Sequence, residues 1–567
     1  MSVRAVSAIV VFAAVTVLGL FRGGYAPTAW GWTALLLLWA TTLALAFRTD
    51  LLVDANVLAL LAAAIALVGW TTLSVVWSES VPRTMFEVER DLVYIAGLAA
   101  VAVGARLLSA QAIVVGISAG LAAIVVYGLG ATIVSAPTPD ATQGYLLSRP
   151  VGYANAVGGV AALAFLPLLA LATYASRRAV RAASGAALVV LASGLYLTQN
   201  RSAWLALGLA LVVWVLRTRE PGAAIAPSMV LACPCATAVA VIAALDLLDT
   251  GSSSPHIHAH RLLAGAVVVA AGLAAAALAA LVRPSAVPQK LAVRGAYAAG
   301  VLVLAALAAS FTRLGDRAHY WRVAWRAFFH HPVIGTGAGT FDLQWFRYRD
   351  IARTVRDAHN LYLGTLGELG GVGAVLLVVM LALPVVYARH QRDPLLTAGL
   401  ASYCGFLLHT SFEWDWRFPV VAGSALLLGA TLMVSDVSVR LSARRRLTGI
   451  AIALAASLFV VAALAGNSAV TSAESRMVAG DASGAATRAD RARRLLPWSS
   501  EPWLVLADSR LQLGDVKGAR AAAREALRRD PNDWAVWVRL ASITHGAERT
   551  AAIRRALALD PLLTSGH

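Results

Sequence analysis

The chain repeats one pattern over most of its length: about twenty apolar positions, a polar break, then another apolar run. A helix of roughly twenty apolar residues crosses a bilayer, and about fifteen such runs can be marked between residues 5 and 466. The pattern predicts an all-α fold, a polytopic membrane bundle of about fifteen spans. Past residue 466 it changes, and 467–567 is polar, alanine-rich and helical in period. We therefore expect two domains: 1–466 in the membrane, and a soluble α-helical domain at 467–567.

The second domain repeats. Gly480-Asp481 recurs as Gly514-Asp515, Pro497 as Pro531 and Trp503 as Trp537, each after 34 residues, and Asp530-Pro531 echoes at Asp560-Pro561. A helix–turn–helix period of 34 closing on proline resembles the tetratricopeptide repeat. About two and a half units are present, fewer than the three or so that stand alone. They are expected to lean on the membrane domain or to dock a protein partner.

One polar break is far too long for a hairpin turn. From Arg313 to Asp357, eight arginines stand against Asp316, Asp342, Asp350 and Asp357, and long ordered loops tend to carry function. We expect a catalytic loop at 313–358. Basic residues in alternate connections (Arg48, Arg177, Arg178, Arg181, Arg217, Arg219, Arg389, Arg392 and Arg440 among them) mark the cytoplasmic side together with Arg4. The N-terminus is then inside, and both the loop and the tail fall outside.

Composition agrees: 59% of the 567 residues are hydrophobic and 14% charged, against roughly 25% charged in soluble domains. The net charge of +17 comes almost wholly from arginines, most of which flank apolar spans, so nucleic acid is not an expected partner. Cys233, Cys235 and Cys404 lack zinc spacing and read as buried structural thiols. His256, His258 and His260 have strand-like spacing and no following carboxylate, so no metal or other cofactor is expected.

Several outer positions carry candidate chemistry. Arg201 sits in a short outer turn, against the charge bias, which makes it a functional candidate. Residues 317–329 form an amphipathic segment, with Trp321, Trp325 and Phe328 opposite Arg322 and Arg326, and predict an interfacial helix. Gly335-Thr336-Gly337-Ala338-Gly339 reads as a turn, with the alternative that its amides approach a phosphate. Asp357, His359 and Asn360 fall at the mouth of the next span. Histidine takes a proton near neutral pH, and arginine forks suit a diphosphate. These residues together suit transfer of a glycan from a lipid diphosphate. Two other readings stay open at this point: a transporter of lipid-linked glycans, and a scaffold recruiting partners through its tail.

The residues also match a family. Arg317, Trp321 and His331-Pro332-Val333-Ile334-Gly335-Thr336-Gly337, followed by Ala358-His359-Asn360-Leu361-Tyr362-Leu363 and Glu368-Leu369-Gly370, resemble the O-antigen ligase and polymerase family. Arg149-Pro150-Val151-Gly152-Tyr153-Ala154-Asn155 and Thr198-Gln199-Asn200-Arg201-Ser202 are similar to two of its upstream motifs, and the resemblance covers roughly 60–435. Asn200 and Ser202 depart from the usual Ser and Gly around that arginine, and an insertion at about 220–290 adds two spans. The resemblance implies a GT-C-like, metal-independent glycosyltransferase of the bacterial cytoplasmic membrane. It implies a polyprenyl-diphosphate glycan donor on the outer face and a glycan or lipid acceptor. Carried over, His359 is the base or acceptor-orienting residue, with Asp357 orienting it. Arg201 and Arg317 bind the diphosphate, supported by Arg149, Asn155, Arg322 and Asn360.

Overall fold

The structure is a computed structural model that describes residues 3–48, 51–104, 109–135, 140, 142–245, 247, 257–281, 288–311, 314–435 and 437–563. Arg313, at the start of the expected loop, and His256 lie outside the described residues.

The fold is all-α. Among the described residues the one sheet is a short antiparallel pair, Leu52–Asp54 with Ser438–Arg440. Among the described residues, each of the expected apolar runs lies on a helix, and ten helices are long and apolar enough to cross a membrane. The others are shorter or more polar. Pro394–His409 and Pro419–Leu432 have 16 and 14 residues, which reach only about 24 and 21 Å at 1.5 Å per residue. Val81–Gly104 has a charged first half that is buried in protein at Glu87, Glu89 and Arg90. These differences follow from protein neighbours: a helix enclosed by others need not match the bilayer on its own.

Faces sort by solvent. On Pro27–Phe47, the stripe Trp32, Leu36, Trp39, Leu43 and Phe47 is exposed, while Trp30, Ala34, Leu38 and Leu45 are buried against neighbours. An exposed apolar stripe on so hydrophobic a helix is a lipid-facing surface. The chain is a multi-pass membrane protein. Ala154–Tyr174 is the most enclosed of the long helices, packed among Ala110–Val134, Arg178–Leu197 and Pro394–His409. The insertion supplies Pro221–Ala244 and Ile257–Leu281, which pack on Arg178–Leu197. Ala443–Val478 is one unbroken helix of 36 residues that runs through the expected domain boundary and packs on the first tail helix, Ala482–Leu495.

The loop folds into two helices. Arg317–His330 is the expected amphipathic one; Trp325 stacks on Phe329 at 5.7 Å, and both are exposed. Phe341–Tyr348 is buried along one side, with Trp345 wholly enclosed. Leu361–Ala388 follows, interrupted at Gly370, which has φ 66° where the backbone of Val333 passes too close for a side chain.

Candidate active site

Four segments converge at one end of the bundle, and Glu413 joins them. It sits on the hairpin between Pro394–His409 and Pro419–Leu432 and is 2% exposed. Its Oε1 accepts from Arg317 at 2.7 Å and from the Ser202 hydroxyl at 3.1 Å. Its Oε2 accepts from the Asn155 amide at 2.7 Å and from Tyr153 at 3.4 Å. Burial pushes the Glu413 carboxyl up, and the Arg317 charge opposes that rise. A buried carboxylate stays ionised only with such partners. Asn200 completes the join: its Nδ2 donates to the carbonyl of Asn155 at 2.9 Å, and its Oδ1 caps the helix Arg201–Arg217 by accepting from Ala203 at 3.1 Å. Serine would cap the helix as well, so what asparagine adds is the bond to the Asn155 carbonyl.

Behind Glu413 lies His409, 2% exposed. Its Nε2 meets Asp415 at 2.7 Å and its Nδ1 meets Ser202 at 3.2 Å. Sequence reasoning missed Glu413, Asp415 and His409 as site residues. The one signal was the charged hairpin Glu413-Trp414-Asp415-Trp416-Arg417 at the end of an apolar run.

His359 reaches the same place from the other side. Its ring lies 5.2 Å from that of Tyr320 and 6.3 Å from that of Trp414. Its Nδ1 bonds the carbonyl of Asp357 at 3.1 Å. A carbonyl only accepts, so the proton is on Nδ1, and in the neutral ring Nε2 carries a lone pair. Burial, with the Arg317 charge adding to it, lowers the His359 pKa to about 4, so the ring is neutral at pH 7. His359 is also held at φ 52°, a left-handed conformation costing a non-glycine residue of order 1–3 kcal/mol. The other non-glycine residues of positive φ among those described are Arg22 and Gln199. Gln199 precedes Asn200 and Arg201, and Arg22 lies beside Gly152 in the Arg149–Asn155 segment. Two of the three strained residues therefore fall on the segments that make this rim, and the third lies against one of them.

The remaining expected residues divide. Arg149 and Arg201 are exposed and, among the described residues, have no ion-pair or hydrogen-bond partner. Asn155 is tied into the Glu413 join, and Asn360 is the cap of Leu361–Ala388, accepting from Leu363 at 2.9 Å. Asp357 holds the His359 ring through its carbonyl, while its carboxylate pairs with Arg417. One expectation needs correction. Arg322 is turned from the cluster and pairs with Asp350 at 2.6 Å, on the outside of the loop. Its place on the polar face of the helix, nearly opposite Arg317, is the reason.

The glycine-rich segment is a structural turn. Its amides are occupied: Thr336 on the carbonyl of Gly367, Gly337 on that of Glu368, Ala338 on the Ser74 hydroxyl, and Gly339 and Phe341 on the Glu368 carboxylate at 3.1 and 3.0 Å. No phosphate can use donors already spent in this way.

A family model described as O-antigen ligase matches residues 186–378, the stretch that holds Arg201, Arg317 and His359. A tetratricopeptide repeat model matches 500–543. No curated protein matches the chain. The chain is thus an O-antigen ligase-like membrane protein with a tetratricopeptide tail.

Proposed function

We propose that the chain is a glycosyltransferase of the bacterial cytoplasmic membrane, taking a glycan from a polyprenyl-diphosphate donor on the outer face. The reading rests on one observation: a neutral His359, with its Nε2 lone pair uncommitted, stands within the field of Arg317 on a rim that also carries Arg149 and Arg201. A hydroxyl oxygen of a glycan or lipid acceptor attacks the anomeric carbon as the bond to the diphosphate oxygen breaks. The electron pair leaves with the diphosphate, and the hydroxyl proton passes to Nε2 of His359. Arginine forks meet the departing charge. The anionic diphosphate raises the basicity of His359 while bound, when a stronger base is required. Burial that keeps the ring neutral in the free protein therefore leaves it ready rather than idle.

The test is transfer by the purified chain in detergent, from a polyprenyl-diphosphate oligosaccharide with EDTA present. Wild type should release polyprenyl diphosphate, and His359→Ala should lose about 10²–10⁴-fold in rate while inserting and melting normally. Arg201→Ala should fall by about 10²-fold. Product size then separates polymer from single transfer. Undiminished transfer by His359→Ala would sink the proposal. No release by wild type across a range of acceptors would favour transport or scaffolding.

A further inference from the structure

The tail does not hang free of the loop. In the last two repeat units the residue before the closing proline is aspartate, and each such aspartate captures an arginine from outside the tail. Asp530, 1% exposed, accepts from Arg83 at 2.6 Å and from Ser80 at 3.0 Å. Asp560, also 1% exposed, accepts from one edge of the Arg349 guanidinium: Nε donates to it at 3.1 Å and Nη2 at 2.8 Å. The matching residue of the first unit is Leu496, which packs instead on Ala463, Ala469 and Val470 of the long helix. The repeat thus reuses one position, once apolar to seat the tail on its own stem and twice acidic to reach across.

Arg83 belongs to the first turn of Val81–Gly104, and it holds Asp342 of the loop helix at 2.9 Å as well as Asp533 of the tail at 3.1 Å. Asn532 donates to the carbonyl of Glu79 at 2.9 Å, and Glu79 accepts from Gln344 and Arg347 of the loop helix at 2.7 and 3.0 Å. Trp534 of the tail meets Phe346 at 5.3 Å. The helix Phe341–Tyr348 is therefore gripped both by residues 79–83 and by the tail, with Arg83 joining the two. Its Trp345 stacks edge-on against Tyr320 at 4.9 Å, and Tyr320 is the ring beside His359.

We propose that the repeat tail is a built-in clamp on the loop helix, and that Asp530 and Asp560, through Arg83 and Arg349, are positioning residues for the aromatic wall around His359. Buried ion pairs with this geometry define one docked arrangement, because loss of either partner strands a charge. The contact chain runs from Asp560 to Arg349 and Phe346, then Trp345, Tyr320 and His359, each link a packed or bonded pair.

The activity arm rests on the transferase reading; the exchange arm does not. Amide hydrogen exchange is followed in the full chain in detergent for wild type, Asp560→Asn, Asp530→Asn and the swap Arg349→Asp with Asp560→Arg. Breaking either pair should speed exchange of residues 341–349 by about tenfold or more. It should also cut kcat severalfold with the donor KM unchanged, and the swap should recover part of both. Unchanged loop exchange in both single variants would overturn the clamp. Faster loop exchange with undiminished kcat would overturn the positioning role. Should wild type transfer nothing, the transferase reading fails, and the exchange result still decides the clamp.

Discussion

Glu413 and Arg417 stand four residues apart on one hairpin and anchor two different charge networks. Arg417 reaches Asp357 and Glu87, and Glu87 also pairs with Arg90. Every side chain in that set is at most 12% exposed. Burial pushes the Asp357 carboxyl up to about 6 against the pull of Arg417. Glu413 gathers Arg317, Asn155 and Ser202, and its arginine is 33% exposed. The first network has all its charge turned inward and closes the base of the segment that carries His359. The second offers a cation held from behind with a face left over. Buried ion pairs of similar length can thus be a fastening or a binding group, and what separates them is the exposure of the cation.

The largest effect expected on that comparison comes from exchanging the two arginines for alanine. Arg417→Ala strands Asp357 and Glu87 and should cost about 3–5 kcal/mol of stability, read as a lowered melting temperature and poor yield. Arg317→Ala leaves the buried Glu413 with Asn155, Ser202 and Tyr153 still donating to it, so it should lower melting by less than Arg417→Ala does while lowering transfer by about 10²-fold. Equal losses of stability in both would erase the distinction. A smaller effect concerns acid. The folded His359 is already neutral well below its ordinary value of about 6.5, having been lowered to about 4. The profile of kcat/KM should therefore be flat in this group through pH 5–8 and fall only as pH drops toward 4. An inflection near 6.5 that disappears in His359→Ala would show that the ring is hydrated rather than buried. The smallest effect is Arg322→Ala. Its pair with Asp350 is exposed on both sides and should be worth about 0–1 kcal/mol, with transfer within about twofold of wild type. A loss approaching that of Arg317→Ala would put Arg322 back among the substrate ligands.

Much of the fold was legible because membrane helices announce themselves locally. Each apolar run needs no knowledge of its neighbours to be read, which is why the helices fall where the hydrophobic pattern puts them. The lengths of Pro394–His409 and Pro419–Leu432 were less legible, since enclosure by other helices relaxes the need to span. Arg201, Arg317 and His359 could be put forward as candidates from motif and from expected topology. Glu413 and His409 could not, because their partners come from residues 155, 202 and 317, and no local pattern encodes that meeting. The same holds for the tail: the echo of Asp530-Pro531 at Asp560-Pro561 was visible, while Arg83 and Arg349 as their partners were not.

The unbroken helix Ala443–Val478 has a consequence for how such a chain can vary. A flexible linker would absorb an added or lost residue without notice. A continuous helix converts it into rotation: one inserted residue turns everything beyond it by about 100° and advances it by about 1.5 Å. The aspartate turns of the tail would then face away from Arg83 and Arg349. Length changes in this helix are therefore phase-locked, and those that preserve docking come as near-whole turns of seven or eleven residues.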